Sequence, residues 1–233
     1  MNVWKLEHIT YGLTAVPIAN DLIVKCPEQY FCFFCACDSI ILCIQDDETA
    51  LHCAAARGHM ECVQTLLDGG SPVDELDSHH RSALLCALEN GHLDIALLLI
   101  HKGSNINEPD EKGNTPLHVA SRLGLLSAVQ TLCHCGADVD MTNQDSFTPL
   151  HLAAKEGFLD IVRVLCLARS NVCRKTKCTL VNASAASSLL QDGLTAEILA
   201  LASEHTHVAS LLAKMKTTPF REGYPITIAQ AIQ

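Results

Sequence analysis

The sequence predicts an all-α solenoid, a stack of about five helix–turn–helix repeats with hairpin fingers, on three observations. One phrase returns every 33 residues: Thr49-Ala-Leu-His-Cys-Ala, Ser82-Ala-Leu-Leu-Cys-Ala, Thr115-Pro-Leu-His-Val-Ala and Thr148-Pro-Leu-His-Leu-Ala. Positions far from the phrase keep the same spacing, with glycines at Gly58, Gly91, Gly124 and Gly157 and leucines at Leu66, Leu99, Leu132 and Leu165. Each copy also carries start and stop signals for two short helices. A fixed period of this size marks units too small to bury their apolar faces alone, so neighbours must stack.

The phrase opens the first helix of each copy. Its Thr or Ser is an N-cap whose oxygen accepts from a free first-turn amide, and Pro116 and Pro149 fit the next position because no donor is lost there. The helix stops at the glycine, which enters the left-handed region without a Cβ clash. A second helix follows, its apolar stripe at helical spacing: Ile95, Ala96, Leu99 and Ile100 in copy two, Ile161, Val162, Leu165 and Cys166 in copy four. Gly70, Gly103 and Gly136 close it, and a polar stretch that reads as a turn or hairpin leads to the next phrase.

A fifth copy reads from Asp192 through Thr195 to Leu212, 47 residues after Thr148 instead of 33. The expected organisation is an apolar, Cys-rich extension over 1–46, an array over 47–216 and a tail over 217–233. Within the array the repeats span 47–79, 80–112, 113–145, 146–174 and 191–216, with an inserted loop at 175–190. The last copy departs from the others: Glu197 replaces the Leu, Ile198 the His and Glu204 the Gly, as suits a cap with a polar outer face. Arg169 stands where three other copies have a closing glycine.

The Thr-Pro-Leu-His phrase, the helix-ending glycine and the Gly136-Ala137-Asp138 loop resemble the ankyrin repeat. That resemblance implies a concave side of first helices and finger tips that binds partners. It also implies that His52, His118 and His151 hydrogen-bond backbone of an adjoining loop. The last copy, with Thr195-Ala-Glu, Ser203-Glu204, His205, His207-Val-Ala and Leu211-Leu-Ala-Lys, is similar to the final ankyrin repeat of death-associated protein kinases; the resemblance covers roughly residues 47–220. In that family the array lies between a kinase and a GTPase-like domain. No glycine-rich loop, His-Arg-Asp, Asp-Phe-Gly or phosphate-loop motif occurs in this sequence, so kinase activity does not carry over. The expected function is a noncatalytic protein-binding scaffold or adaptor in intracellular signalling, with an ankyrin fragment of such a kinase-like protein as the alternative.

Composition narrows the partner. A net charge of −10, with 16 basic residues spread along the chain and 4% aromatics, disfavours an extended phosphate-binding surface and favours a basic or mixed-charge protein. No small-molecule substrate, cofactor or metal is expected. The Cys32, Cys35 and Cys37 spacing is not that of paired zinc knuckles, and His79-His80 and Cys133-His134-Cys135 lack a second ligand pair. The apolar stretch Tyr30–Ile44 is interrupted by Asp38 and is shorter than the ~20 residues a bilayer span needs. Cys62, Cys133 and Cys166 fall on second-helix stripes as small hydrophobes, and such reduced thiols imply a cytoplasmic chain.

The candidate contact residues vary between copies. Seven or eight positions after each phrase begins lie Arg57, Glu89, Asn90, Arg122, Lys155 and Glu156; along the fingers lie His79, Arg81, Lys112, Asn114, Gln144 and Phe147. Phe147 is the sharpest of these, an aromatic at a finger with the character of an anchor. Asn107, in Asn105-Ile-Asn107, resembles the loop asparagine that asparaginyl hydroxylases modify.

Overall fold

In the computed structural model, residues 48–177 and 193–217 are described, together with the backbone of four strands between residues 15 and 44. Among the described residues ten helices form five consecutive pairs: α1 (Ala50–Arg57) with α2 (Met60–Asp68), α3 (Ala83–Glu89) with α4 (Leu93–His101), and α5 (Pro116–Leu123) with α6 (Leu126–His134). These are followed by α7 (Pro149–Glu156) with α8 (Leu159–Leu167) and α9 (Ala196–Ala202) with α10 (Thr206–Thr217). Odd-numbered helices stack in one row and even-numbered helices in a second, so the expected all-α solenoid is the architecture of the array.

Local sequence explains the short helices. Thr49, Ser82, Thr115, Thr148 and Thr195 all adopt extended backbone immediately before an inner helix. Gly58, Gly124 and Gly157 end three of those helices in the left-handed region. Packing then does what propensity cannot for helices of seven to nine residues. Leu51, Leu84, Leu117 and Leu150 are buried between inner helices, and Leu66, Leu99, Leu132 and Leu165 between the two rows, in one core that runs the length of the array. Fully buried Ala54, Ala87, Ala120, Ala153 and Ala200 let the inner helices approach closely.

The fifth pair joins this core through Ala196, Ala200, Val208, Ala209 and Leu212. As a cap it is only half polar. Glu197, in the place of the buried leucine, forms an ion pair with Lys216 of α10, but Ile198 and Leu201 are 42% and 54% exposed. Ile198 stands where three of the other four copies have the phrase histidine, and Thr195 Oγ1 is buried without a hydrogen-bond partner among the described residues.

Ahead of the array lie β1 (Ala15–Ile18), β2 (Asp21–Lys25), β3 (Phe31–Cys35) and β4 (Ile40–Ile44), an antiparallel meander in that order. The register runs Ala15↔Val24, Val24↔Cys32 and Cys32↔Cys43, and β4 lies beside α1. Aromatic and β-branched residues in β3 and β4 suit extended backbone. The zinc reading of Cys32, Cys35 and Cys37 concerns side chains outside the described residues. Among the described residues, no helix is long and apolar enough to cross a membrane.

Candidate interaction surface

The inner helices α3, α5, α7 and α9 are each preceded by a finger, and these four fingers share one construction. In the first three, the residue at the turn's start donates its N–H to the carbonyl four residues on: Asp77 to Arg81, Asp110 to Asn114 and Asn143 to Phe147, at 3.0, 2.9 and 3.0 Å. The same three side chains accept the returning N–H of Arg81, Asn114 and Phe147 at 2.8, 2.6 and 2.9 Å. In the fourth finger Thr176, again 33 residues on, donates its N–H to Leu194 and takes the Leu194 N–H on its hydroxyl, at 3.0 and 3.2 Å.

Thr176 and Leu194 are thus paired as the ends of the fourth finger, across the stretch where the sequence places an inserted loop at 175–190. Three residues separate the paired ends of the other fingers, whereas 17 separate Thr176 from Leu194. Gly193 makes this closure possible: its φ is +83°, and a Cβ there would lie 2.2 Å from the Thr176 carbonyl oxygen. Residues 178–192 of this finger lie outside the described residues.

The phrase histidines fasten fingers to helices. His52 Nε2 lies 2.9 Å from the Arg81 carbonyl, His118 Nε2 3.0 Å from that of Phe147, and His151 Nε2 3.0 Å from that of Arg174. A carbonyl only accepts, so Nε2 carries the proton. Nδ1 is then the acceptor for the Thr49, Thr115 or Thr148 hydroxyl at 2.7–2.8 Å and for the backbone N–H of the same residue at 3.2 Å. Burial lowers the pKa of all three rings, outweighing the carbonyls that favour the imidazolium. Copy two has Leu85 in this place and fills it with apolar packing.

Neighbouring fingers are also joined. Glu111 N–H donates to the His79 carbonyl and Gln144 N–H to that of Lys112, at 3.1 and 3.0 Å. Asn143 Nδ2 donates to Asn114 Oδ1, and Gln144 Nε2 to the Glu111 carbonyl. The equivalent bond from Lys177 N–H to the Asp145 carbonyl is not formed among the described residues, so the ladder stops at the third finger.

Loops at the other end of each repeat repeat this logic. Asp74 accepts from Asn105 N–H, Asn107 Oδ1 from Asp138 N–H, and Asp140 from Asn171 N–H, at 2.7, 3.0 and 2.9 Å. Asn107 is thus half-buried in an inter-repeat ladder.

Several sequence-selected contact residues sit within this framework. Arg81 is held by Asp77 at 2.7 Å, and by Glu48 and Glu89 at 3.4 Å each. Burial opposes ionisation of Asp77. The Arg81 N–H, its guanidinium and the His79 N–H outweigh it and hold that carboxyl below the ordinary range. Asn114 is tied to Asp110 and Asn143, and Asn90 Nδ2 turns back to the Cys86 carbonyl. Phe147 is half-buried, its ring edge-on to His151 at 6.1 Å. His79 faces Glu111 at 3.5 Å. Arg57, Lys112, Arg122, Gln144, Lys155 and Glu156 are exposed.

A family model described as ankyrin repeats (3 copies) matches residues 20–110 and again 105–176, well over half of the chain. The chain belongs to the ankyrin repeat family. The match to this ankyrin-repeat chain takes in β2, β3 and β4 and ends at Thr176, where the fourth finger closes. The fifth repeat lies beyond it and is recognised by the stacking of α9 and α10 on α7 and α8. No curated protein matches the chain. Ankyrin repeats are generally protein–protein interaction modules.

Sequence reasoning missed three residues of that surface. Leu123, eight positions after Thr115, is 41% exposed, and Arg174 and Lys177 stand exposed on the base of the fourth finger. The signal for the last two was the 33-residue step from Asn143 to Thr176, which places them in a finger and not in an irregular insert.

Proposed function

We propose that this chain is a noncatalytic scaffold that binds partner proteins across its inner helices and finger tips. The observation that carries this reading is a division of labour between repeat positions. Those that stay constant are buried or hydrogen-bonded within the array. Those that vary, such as Arg122, Lys155, Glu156 and Lys112, are exposed and held by no ion pair among the described residues. Hydrogen-bonded fingers and clamped histidines present them on a rigid support, which lowers the ordering cost of binding. The seven described cysteines are thiols, four of them buried, in keeping with an intracellular, cytoplasmic chain. The likeness of residues 195–214 to the last repeat of death-associated protein kinases supports a second reading, in which the array serves a signalling protein of that kind.

Capture by the full chain tests the scaffold reading. Proteins retained by the native chain should be lost when Arg122, Lys155 and Lys112 are replaced by alanine, and kept when Asp94 and Ser127 at the outer helices are replaced. Equal retention by both variants, each with unchanged circular dichroism, would contradict it.

A further inference from the structure

Two groups of described cations differ in their partners. Lys102 pairs with Asp68 at 3.2 Å, Arg163 with Asp160 at 3.5 Å, and Lys216 of α10 with Glu197 of α9; these three cations belong to the outer helix row. Arg81, at the first finger, is held by three carboxylates, so Glu89 on α3 is already spent. By contrast Lys112, Arg122, Lys155, Arg174 and Lys177 are exposed and form no ion pair among the described residues. All five lie on fingers or at the seventh position of the phrase helices.

Their placement follows from the stacking. Arg122 on α5 and Lys155 on α7 occupy equivalent positions on adjacent helices. The Arg81 to Glu89 contact of 3.4 Å shows that this helix position reaches the base of its own finger. Arg174 and Lys177 bracket Thr176 at the foot of the fourth finger, which His151 of α7 clamps through the Arg174 carbonyl. Leu123, beside Arg122, adds an exposed apolar side chain. Asp110 and Glu111 flank Lys112 on the second finger and Asp145 and Glu156 lie on the third finger and α7, so the five cations share the stretch with four carboxylates, none of which forms an ion pair with them among the described residues. A chain of net charge −10 thus concentrates uncompensated positive charge on the inner face of its third and fourth repeats.

We infer that this face receives an extended acidic segment of a partner protein, glutamate- or aspartate-rich and carrying an apolar side chain for Leu123. The inference rests on the scaffold reading and specifies its partner's chemistry. It reverses the expectation that whole-chain charge sets, because binding responds to the local field and not to the net charge. Rows of cations on a rigid support favour a linear polyanion, while the scarcity of aromatics for base stacking favours peptide over nucleic acid.

The test uses the full chain and a short fluorescent peptide of alternating glutamate and leucine, with lysine–leucine peptide and single-stranded oligonucleotide as comparators. The native chain should bind the acidic peptide and weaken as salt rises. The variant R122E/K155E/R174E/K177E should lose affinity by roughly tenfold or more, while K102E/R163E on the outer row should stay within about twofold. Thermal melts of both variants establish that they are folded. No binding of the acidic peptide, equal loss in both variants, or tighter binding of the oligonucleotide would each overturn the inference. If the acidic peptide fails but protein capture still depends on Arg122, Lys155 and Lys112, the scaffold reading stands and only the acidic partner falls.

Discussion

His52, His118 and His151 each close a circuit from a Thr hydroxyl through the imidazole to a finger carbonyl, and all three rings are buried and neutral in the folded chain. Protonation would set an N–H at Nδ1 against the Thr N–H. Their folded pKa values lie below the ordinary 6.5, so the unfolded chain takes up protons first. Stability is therefore full above about pH 6.5 and falls as pH drops below it. Denaturant titrations across that window should show the fall, and His118→Leu, which copies the second repeat, should make it shallower. His118→Ala should cost about 2 kcal/mol or more, from three lost hydrogen bonds and a void. Backbone strain at single residues is equally accessible. Arg169, Glu204, His80 and Ser146 have φ of 67°, 65°, 56° and 61° at places where other copies have glycine or a finger turn. Relief of that strain exceeds the entropy cost of glycine, so Arg169→Gly and Glu204→Gly should each stabilise by about 0.5–1 kcal/mol, read from chemical denaturation.

At the scale of elements the fourth finger is the informative one. Thr176 and Leu194 close it as Asp110 and Asn114 close the second, despite the 17 residues between them. Gly193→Ala would drive a Cβ into the Thr176 carbonyl at an unfavourable φ and should cost roughly 2 kcal/mol or more. The loss should be local, with hydrogen exchange faster in α9 and α10 and little changed in α3 and α4. The helices were legible because caps, glycines and apolar stripes are short-range signals repeated in five copies. Finger chemistry was only half legible. Asn143 to Thr176 keeps the 33-residue step, but a hydroxyl in place of a carboxyl or amide hides the shared turn. Arg81 and Asn114 read as contact residues because they are polar residues at a turn; within the array Asp77 and Glu48 hold Arg81, and Asp110 and Asn143 hold Asn114. Phe147 is half-buried, its ring edge-on to His151 four residues along in the same repeat.

At the scale of the molecule, one continuous core and a single varied face frame the account. Burial pushes the Cys53 and Cys86 thiols up to about 12 and those of Cys133 and Cys166 to about 11, while Cys135 and Cys173 are exposed. Native-state alkylation followed by mass mapping should therefore label Cys135 and Cys173 first, with Cys53, Cys62, Cys86 and Cys166 reacting only as the array unfolds. Rigidity of the array is what turns scattered side chains into a surface: the same clamps that shape stability also fix Arg122, Lys155 and Lys112 relative to one another. The most direct measurement of the central claim is photo-crosslinking in cells with the full chain, placing the crosslinking residue in turn at positions 122 and 155 on the inner helices and at positions 94 and 127 on the outer ones. Crosslinks to a common protein from 122 and 155, absent from 94 and 127, are the expected result; crosslinks from the outer positions alone would contradict the account.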